Sequence, residues 1–280
     1  MLQKYYAALV AMVLTLLCSI APAMAEPVKL VSLSDDLVQG GVVFGRLQQP
    51  AKVWVDGRAV DVDAQLRFVF GLDRDAPETL TITTQLQGQE QQQWHYEVAS
   101  RHYNLQKITG IKRSIMQPSA ADIKRIKADV REAKAARKQD LALDAWQQRF
   151  IWPITGRITG VFGSQRVYNG VPSRPHYGVD IAAPTGSAVV APAGGVITLA
   201  NPDMFYSGGT VFIDHGRGLS SAFLHLSKLD VSVGEKVTQG QLIGEVGASG
   251  RSTGPHLDWR MNWFDRRVDP QLLVPPMIVQ

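Results

Sequence analysis

A single cysteine, Cys18, occurs in the 280 residues, and it lies in an apolar N-terminal stretch. The rest of the chain therefore has no disulfide or thiol chemistry, and any metal there must take nitrogen and oxygen donors. Histidine is also scarce, six in all. Long apolar runs are limited to Ala7–Ile20. Lys4 ahead of that run, Pro22 interrupting it and Ala23-Met24-Ala25 before Glu26 fit a cleaved secretory leader at residues 1–25. An uncleaved anchor is the competing reading, but the run is short for a span, so no mature transmembrane segment is expected. Leu16 and Leu17 supply no small residue ahead of Cys18, which argues against lipidation. There is no basic tail interleaved with aromatics, so nucleic-acid binding is not expected. The net charge of +4 is only a mild excess, compatible with work near an anionic polymer.

What remains is mainly β in pattern and long enough for two modest domains. Residues 26–104 alternate over short stretches. Val53-Trp54-Val55, the turn Asp56-Gly57 and Ala59-Val60-Asp61-Val62 predict a hairpin. Strands are also expected at Phe68–Gly71, Leu80–Thr84 and Trp94–Val98, giving an immunoglobulin-like β-sandwich. His95 and His102 belong there on strand faces or edges. Residues 105–150 form a connector in which Ser119 caps an amphipathic helix carrying Ile123, Ile126, Val130, Ala133 and Ala136 at helical spacing. Its many lysines and arginines read as a solvated face, with a lid or a docking helix as alternatives. From 151 to 280, glycines and short valine-rich strands predict an all-β domain.

Two segments of that last domain concentrate the chemistry: His176-Tyr177-Gly178-Val179-Asp180 and Gly250-Arg251-Ser252-Thr253-Gly254-Pro255-His256-Leu257-Asp258. Side chains two or four apart in a strand share a face. His176 and Asp180 are thus candidate ligands of one metal, while His256 and Asp258 supply a base and a candidate third ligand. A catalytic zinc site keeps three protein ligands and an open position for water, and an imidazole beside it can shuttle the proton. His225, in Phe223-Leu224-His225-Leu226-Ser227, is a candidate for binding an oxyanion or orienting the water; alone it would read as a satisfied strand histidine. His215, before Gly216 at a turn, reads as structural.

The segment from Trp152 to Asp269 resembles the lysostaphin-type, LytM-like zinc metallopeptidases that cut peptide bridges in peptidoglycan. The landmarks stand in family order: Gly160-Val161-Phe162-Gly163, His176-x-x-x-Asp180 with Ile181-Ala182-Ala183-Pro184, Val190-Ala191-Pro192, Asp214-His215-Gly216, His225-Leu226-Ser227 and Gly250 to His256. The resemblance implies a compact β-domain with a groove, one Zn2+ held by His176 and Asp180, His256 as catalytic base and His225 as second catalytic histidine. Where the family has a histidine as third ligand, this chain has Asp258. Aspartate is a legitimate ligand, but two carboxylates and one imidazole leave a divalent site formally neutral. Its water is then acidified less, and a harder metal such as manganese is admitted. The expected activity is hydrolysis of the D-alanyl–diaminopimelyl cross-link in the periplasm of a Gram-negative-type cell, or of a glycine bridge outside it. The alternative is a silent member that binds peptidoglycan or activates a partner amidase of the cell wall, docking through the basic helix.

Overall fold

Short alternating segments in the first hundred residues become seven strands, and an eighth lies at the start of the expected connector, in a computed structural model that describes residues 30–34, 37–108 and 118–278. The expected leader at 1–25, with Cys18, lies outside the described residues. Strands β1 (Val31–Leu33), β2 (Val42–Leu47), β3 (Lys52–Val55), β4 (Arg58–Val60), β5 (Arg67–Gly71), β6 (Thr79–Gln85), β7 (Gln92–Glu97) and β8 (Leu105–Ile108) follow in chain order. Two antiparallel sheets result, ordered β1-β2-β5 and β4-β3-β6-β7. The β3–β4 hairpin turns on Asp56 and Gly57, with φ of 47° and 79°, the left-handed pair that a two-residue hairpin loop requires.

Ser119 opens helix α1 (Ala120–Arg137) through a capping box: its Oγ accepts from the Asp122 N–H, and the Asp122 carboxylate accepts from the Ser119 N–H. Ala136 inserts the helix against Leu199, Met204, Phe212, Ala222 and Leu224. Polar ties fix its angle, since Asp129 accepts from the Phe205 N–H at 2.8 Å and Glu132 from Asn201 at 2.9 Å. Ile123 and Val130, on the expected apolar stripe, stay exposed at 42% and 45%.

The remaining strands are β9 (Arg157–Gly160), β10 (Gln165–Tyr168), β11 (Val171–Pro172), β12 (Val179–Ala182), β13 (Ala188–Val190), β14 (Gly195–Met204), β15 (Gly208–Gly216), β16 (Leu219–Leu229), β17 (Lys236–Val237), β18 (Leu242–Val246), β19 (His256–Trp263) and β20 (Arg266–Val268). Ten of them form one antiparallel sheet with the path β17-β14-β15-β16-β19-β12-β9, to which β13, β18 and β20 attach. A small third sheet joins the parts of the chain: β8 runs parallel to β10, which also pairs with β11.

Alternate residues of the large sheet face inward. Val179, Ile181, Phe223, Leu257, Trp259 and Met261 are fully buried, and Trp146 and Phe150 from the segment after α1 join the same core. So does Val69 of β5, while Phe44 of β2 stacks on Trp146 with ring centroids 6.1 Å apart. The described residues from Val31 onward consequently pack as one compact unit. No helix among the described residues is long and apolar enough to cross a membrane.

Candidate active site

The two motifs meet because β12 and β19 are antiparallel neighbours. Their register sets Asp180 directly opposite Asp258, and Ala182 opposite His256. On β19 the apolar residues Leu257, Trp259 and Met261 drive one face into the core. The strand period then turns His256, Asp258 and Arg260 together to the other face. Asp180 is placed likewise between the buried Val179 and Ile181. His176 precedes β12 in an irregular segment and folds back, so that its Nε2 lies 3.2 Å from Asp180 Oδ1.

Room for the two carboxylates depends on absent side chains. A Cβ on Gly160 would collide with the Asp180 carboxylate, and one on Gly178 with Asp258 Oδ1 and the Arg260 side chain. His225 enters from β16, where Leu224 is still in register with Asp258. At His225 the backbone turns left-handed, with φ of 66°, and its N–H leaves the ladder to donate to the Ser207 carbonyl at 2.8 Å. A histidine held in that region of φ is a local strain. The His225 and His256 rings lie with centroids 4.8 Å apart.

Hydrogen bonds define the tautomers of both imidazoles. His256 Nδ1 lies 2.8 Å from the Gly254 carbonyl, and His225 Nδ1 lies 2.8 Å from the Ser249 carbonyl. A carbonyl only accepts, so each Nδ1 carries the proton and each neutral ring keeps its lone pair on Nε2. Burial lowers the His225 pKa, against the pull of Ser249 and Asp258, and favours that neutral form. For His176 burial also opposes protonation, but the Asp180 and Asp258 carboxylates outweigh it and raise the pKa.

The donor set suits a divalent ion. Ligand atoms of His176, Asp180 and Asp258 all lie within 4.8 Å of one another. His176 Nε2 and Asp180 Oδ1 are shut off from solvent and make no well-aligned hydrogen bond among the described residues, which is costly for polar atoms that nothing else satisfies. Asp258 differs: Arg260 Nε donates to both of its oxygens, at 2.9 and 3.0 Å, and Nη2 to Oδ2 at 2.5 Å. Burial would raise the Asp258 pKa, but Arg260 overrides it and holds the carboxyl below the ordinary range. Carboxylate oxygens have about four lone-pair sites, so ligation remains open to Asp258 with Arg260 in place.

Every residue singled out from the sequence, His176, Asp180, His225, His256 and Asp258, thus lies in one cluster. His215 does not: it is buried between the Gly194 carbonyl and Ser221 Oγ, as a structural histidine would be. Arg260 escaped the sequence analysis, although its even spacing from His256 and Asp258 already put it on their face. Ser249 and Gly254, which orient the two rings through carbonyls, carry no side-chain signal at all.

Comparison with known proteins agrees with this geometry. The profile of peptidase family M23 matches residues 174–270, a span that holds all five residues. A crystal structure from Pseudomonas aeruginosa assigned to peptidase M23 is 30% identical, covers 86% of this chain and 96% of its own, and superposes with a TM-score of 0.68. The peptidoglycan DD-endopeptidase ShyA of Vibrio cholerae is 39% identical over 132 residues, 46% of this chain and 30% of that protein. The DD-carboxypeptidase/endopeptidase Mpg of Neisseria meningitidis is 41% identical over 103 residues, 37% of this chain and 24% of that one. The matches thus span a third or less of the length of these curated relatives. With the P. aeruginosa structure matched along nearly its whole length, the chain belongs to peptidase family M23.

Proposed function

We propose that the chain is an exported, metal-dependent endopeptidase that hydrolyses peptide cross-links of bacterial peptidoglycan. The observation that carries this is the convergence of His176, Asp180 and Asp258 within 4.8 Å, beside two imidazoles held as Nδ1–H tautomers. The names of ShyA and Mpg favour a DD-type bond, the D-alanyl–diaminopimelyl cross-link of a periplasmic wall. His176, Asp180 and Asp258 would hold the ion, zinc in the first instance. When bound, it supplies a Lewis acid that polarises the scissile carbonyl and acidifies a water.

The side chains divide the remaining work. His256 Nε2 lies 3.8 Å from Asp180 Oδ1, facing the ligand set, and accepts the proton of the attacking water. It then delivers that proton to the leaving amine, as a general base turned acid. His225 in its neutral form offers a lone pair rather than an N–H, so it orients the water as an acceptor; stabilising an oxyanion would require a proton on Nε2, through the imidazolium or the other tautomer. Gly254 and Ser249 keep both rings from rotating.

One observation favours the second reading, a silent member that binds peptidoglycan or activates a wall amidase. Arg260 already occupies both oxygens of Asp258, and a site without metal would keep that pair. Metal analysis and digestion of cross-linked muropeptides by the mature protein separate the two. The expected result is one divalent ion per chain and chelator-sensitive cleavage. His176→Ala should lose both, whereas His256→Ala should keep the metal and lose about two to four orders of magnitude in turnover. A native protein that neither binds metal nor cleaves would establish the silent reading.

A further inference from the structure

Beside the candidate centre a cavity of about 1020 Å³ opens between α1 and the outer face of β14, β15, β16 and β19, with His225 and Arg260 in its wall. Its lining is rich in cations and poor in carboxylates. Arg260 is matched by Asp258, and Arg58 by Asp265 at 2.6 Å. Arg137 from the end of α1, Arg267 from β20 and Arg174 just ahead of His176 line the same cavity, and among the described residues none of these three makes an ion pair. Arg137 lies over the Phe212 ring at 4.5 Å, and Arg267 donates to Asn262 Oδ1 at 3.0 Å, a neutral partner.

Guanidinium groups brought together from three elements repel one another, and a partly desolvated wall weakens the screening that water provides. Burial, then the neighbouring Arg267 and Arg260, lower the Arg137 pKa from its usual value to about 9. Arg137 and Arg267 are half-buried in this wall while Arg174 stands exposed at its rim, and an anion between them would relieve the repulsion. The planar fork of arginine matches a carboxylate with two parallel hydrogen bonds.

We propose that Arg137, Arg267 and Arg174 form a subsite for a carboxylate of the substrate peptide, adjacent to the bond that is cut. This rests on the peptidase assignment: His225 stands beside His256 and also in the cavity wall, so a peptide held across the centre borders the cavity, and stem peptides of peptidoglycan carry free carboxylates close to their cross-links. The subsite selects the free acid over its amidated form. It also gives the basic end of α1 a role in binding substrate.

The test is calorimetric titration of the metal-loaded His256→Ala protein, which keeps the peptide intact, with a cross-linked stem peptide as the free acid and as the carboxamide. The acid should bind about tenfold more tightly or better, the effect of one charge-assisted hydrogen-bond pair. In Arg137→Gln and in Arg267→Gln, each added to that background, the two peptides should bind alike. Equal affinity of the parent for the two peptides overturns the subsite, whatever the two variants do. Competition by inorganic phosphate without any acid preference would overturn it in favour of a phosphate site. Preference for the acid in a native protein that cleaves neither peptide upholds the subsite and removes the peptidase assignment instead.

Discussion

At the scale of the residue, Arg260 changes what Asp258 means. Two carboxylates and a neutral imidazole leave a divalent ion without net charge, a weaker Lewis acid than the family's usual two imidazoles and one carboxylate. The guanidinium clamped on Asp258 returns one positive charge to the same volume. Asp258 and Arg260 therefore act as one unit, and substitutions there should be strongly non-additive. Asp258→His alone strips Arg260 of its partner and sets it against the metal, a repulsion of roughly 1–3 kcal/mol in a half-buried setting. Metal affinity, measured by competition with a chromogenic chelator, should fall about tenfold or more in that variant. It should recover in Asp258→His/Arg260→Gln. Additive effects would show that the pair is not coupled to the metal.

At the scale of the element, β15 carries two buried ionisable neighbours with opposite preferences. Burial pushes the Asp214 carboxyl up to about 6, although the Gly216 and Leu141 N–H groups oppose it. Burial pushes the His215 imidazole down to about 4. Between about pH 4 and 6 the folded protein holds more protons at Asp214 than the unfolded chain does, so that group makes stability fall as pH rises. Over about pH 4 to 6.5 the unfolded chain holds more protons at His215, so that group makes stability rise. In the native protein the two slopes offset each other. Asp214→Asn should unmask the His215 slope, and its stability relative to the parent should grow by up to about 3 kcal/mol from pH 4 to 6. Urea midpoints at several pH values check this; a constant difference would mean that Asp214 is ionised normally.

Over the whole molecule, the N-terminal sheets and the catalytic sheet share a core. Val69 and Phe44 reach Trp146 and its neighbours, and Arg101 pairs at 2.9 Å with Asp269, which is 2% exposed on the side chain. Unfolding should be one cooperative transition rather than two. A metal bound only by the folded state, at about a thousand times its dissociation constant, adds roughly 4 kcal/mol. Chelation should therefore lower Tm by about 10 °C for a unit of this size, shifting the entire transition, and His176→Ala should not respond. Two transitions, of which only one moved, would separate the N-terminal sheets from the site thermodynamically.

The amino-acid sequence alone determined the β-rich character, the Ser119 cap, the Asp56-Gly57 hairpin and the five candidate residues of the site. The first three are written in short-range chemistry: a period of two, a polar cap just ahead of an apolar-periodic run, a left-handed turn. Of the site residues only His256 and Asp258 stand at a strand repeat, since His176 precedes β12 in an irregular segment and His225 stands out only beside the other two motifs. Tertiary structure decided what depends on residues distant in the chain. The register of β12 against β19 set Asp180 opposite Asp258. Gly160 and Gly178 vacated the volume for the carboxylates, and Ser249 and Gly254 fixed which ring nitrogens hold protons. The parallel pairing of β8 with β10 and the burial of Trp146 against Phe44 likewise had no local signature. Arg137 shows the division most plainly. In sequence it is one cation among many on a helix, and only the packing of α1 onto β14 and β15 brings it beside Arg267 and Arg260, because charge acts through space and not along the chain.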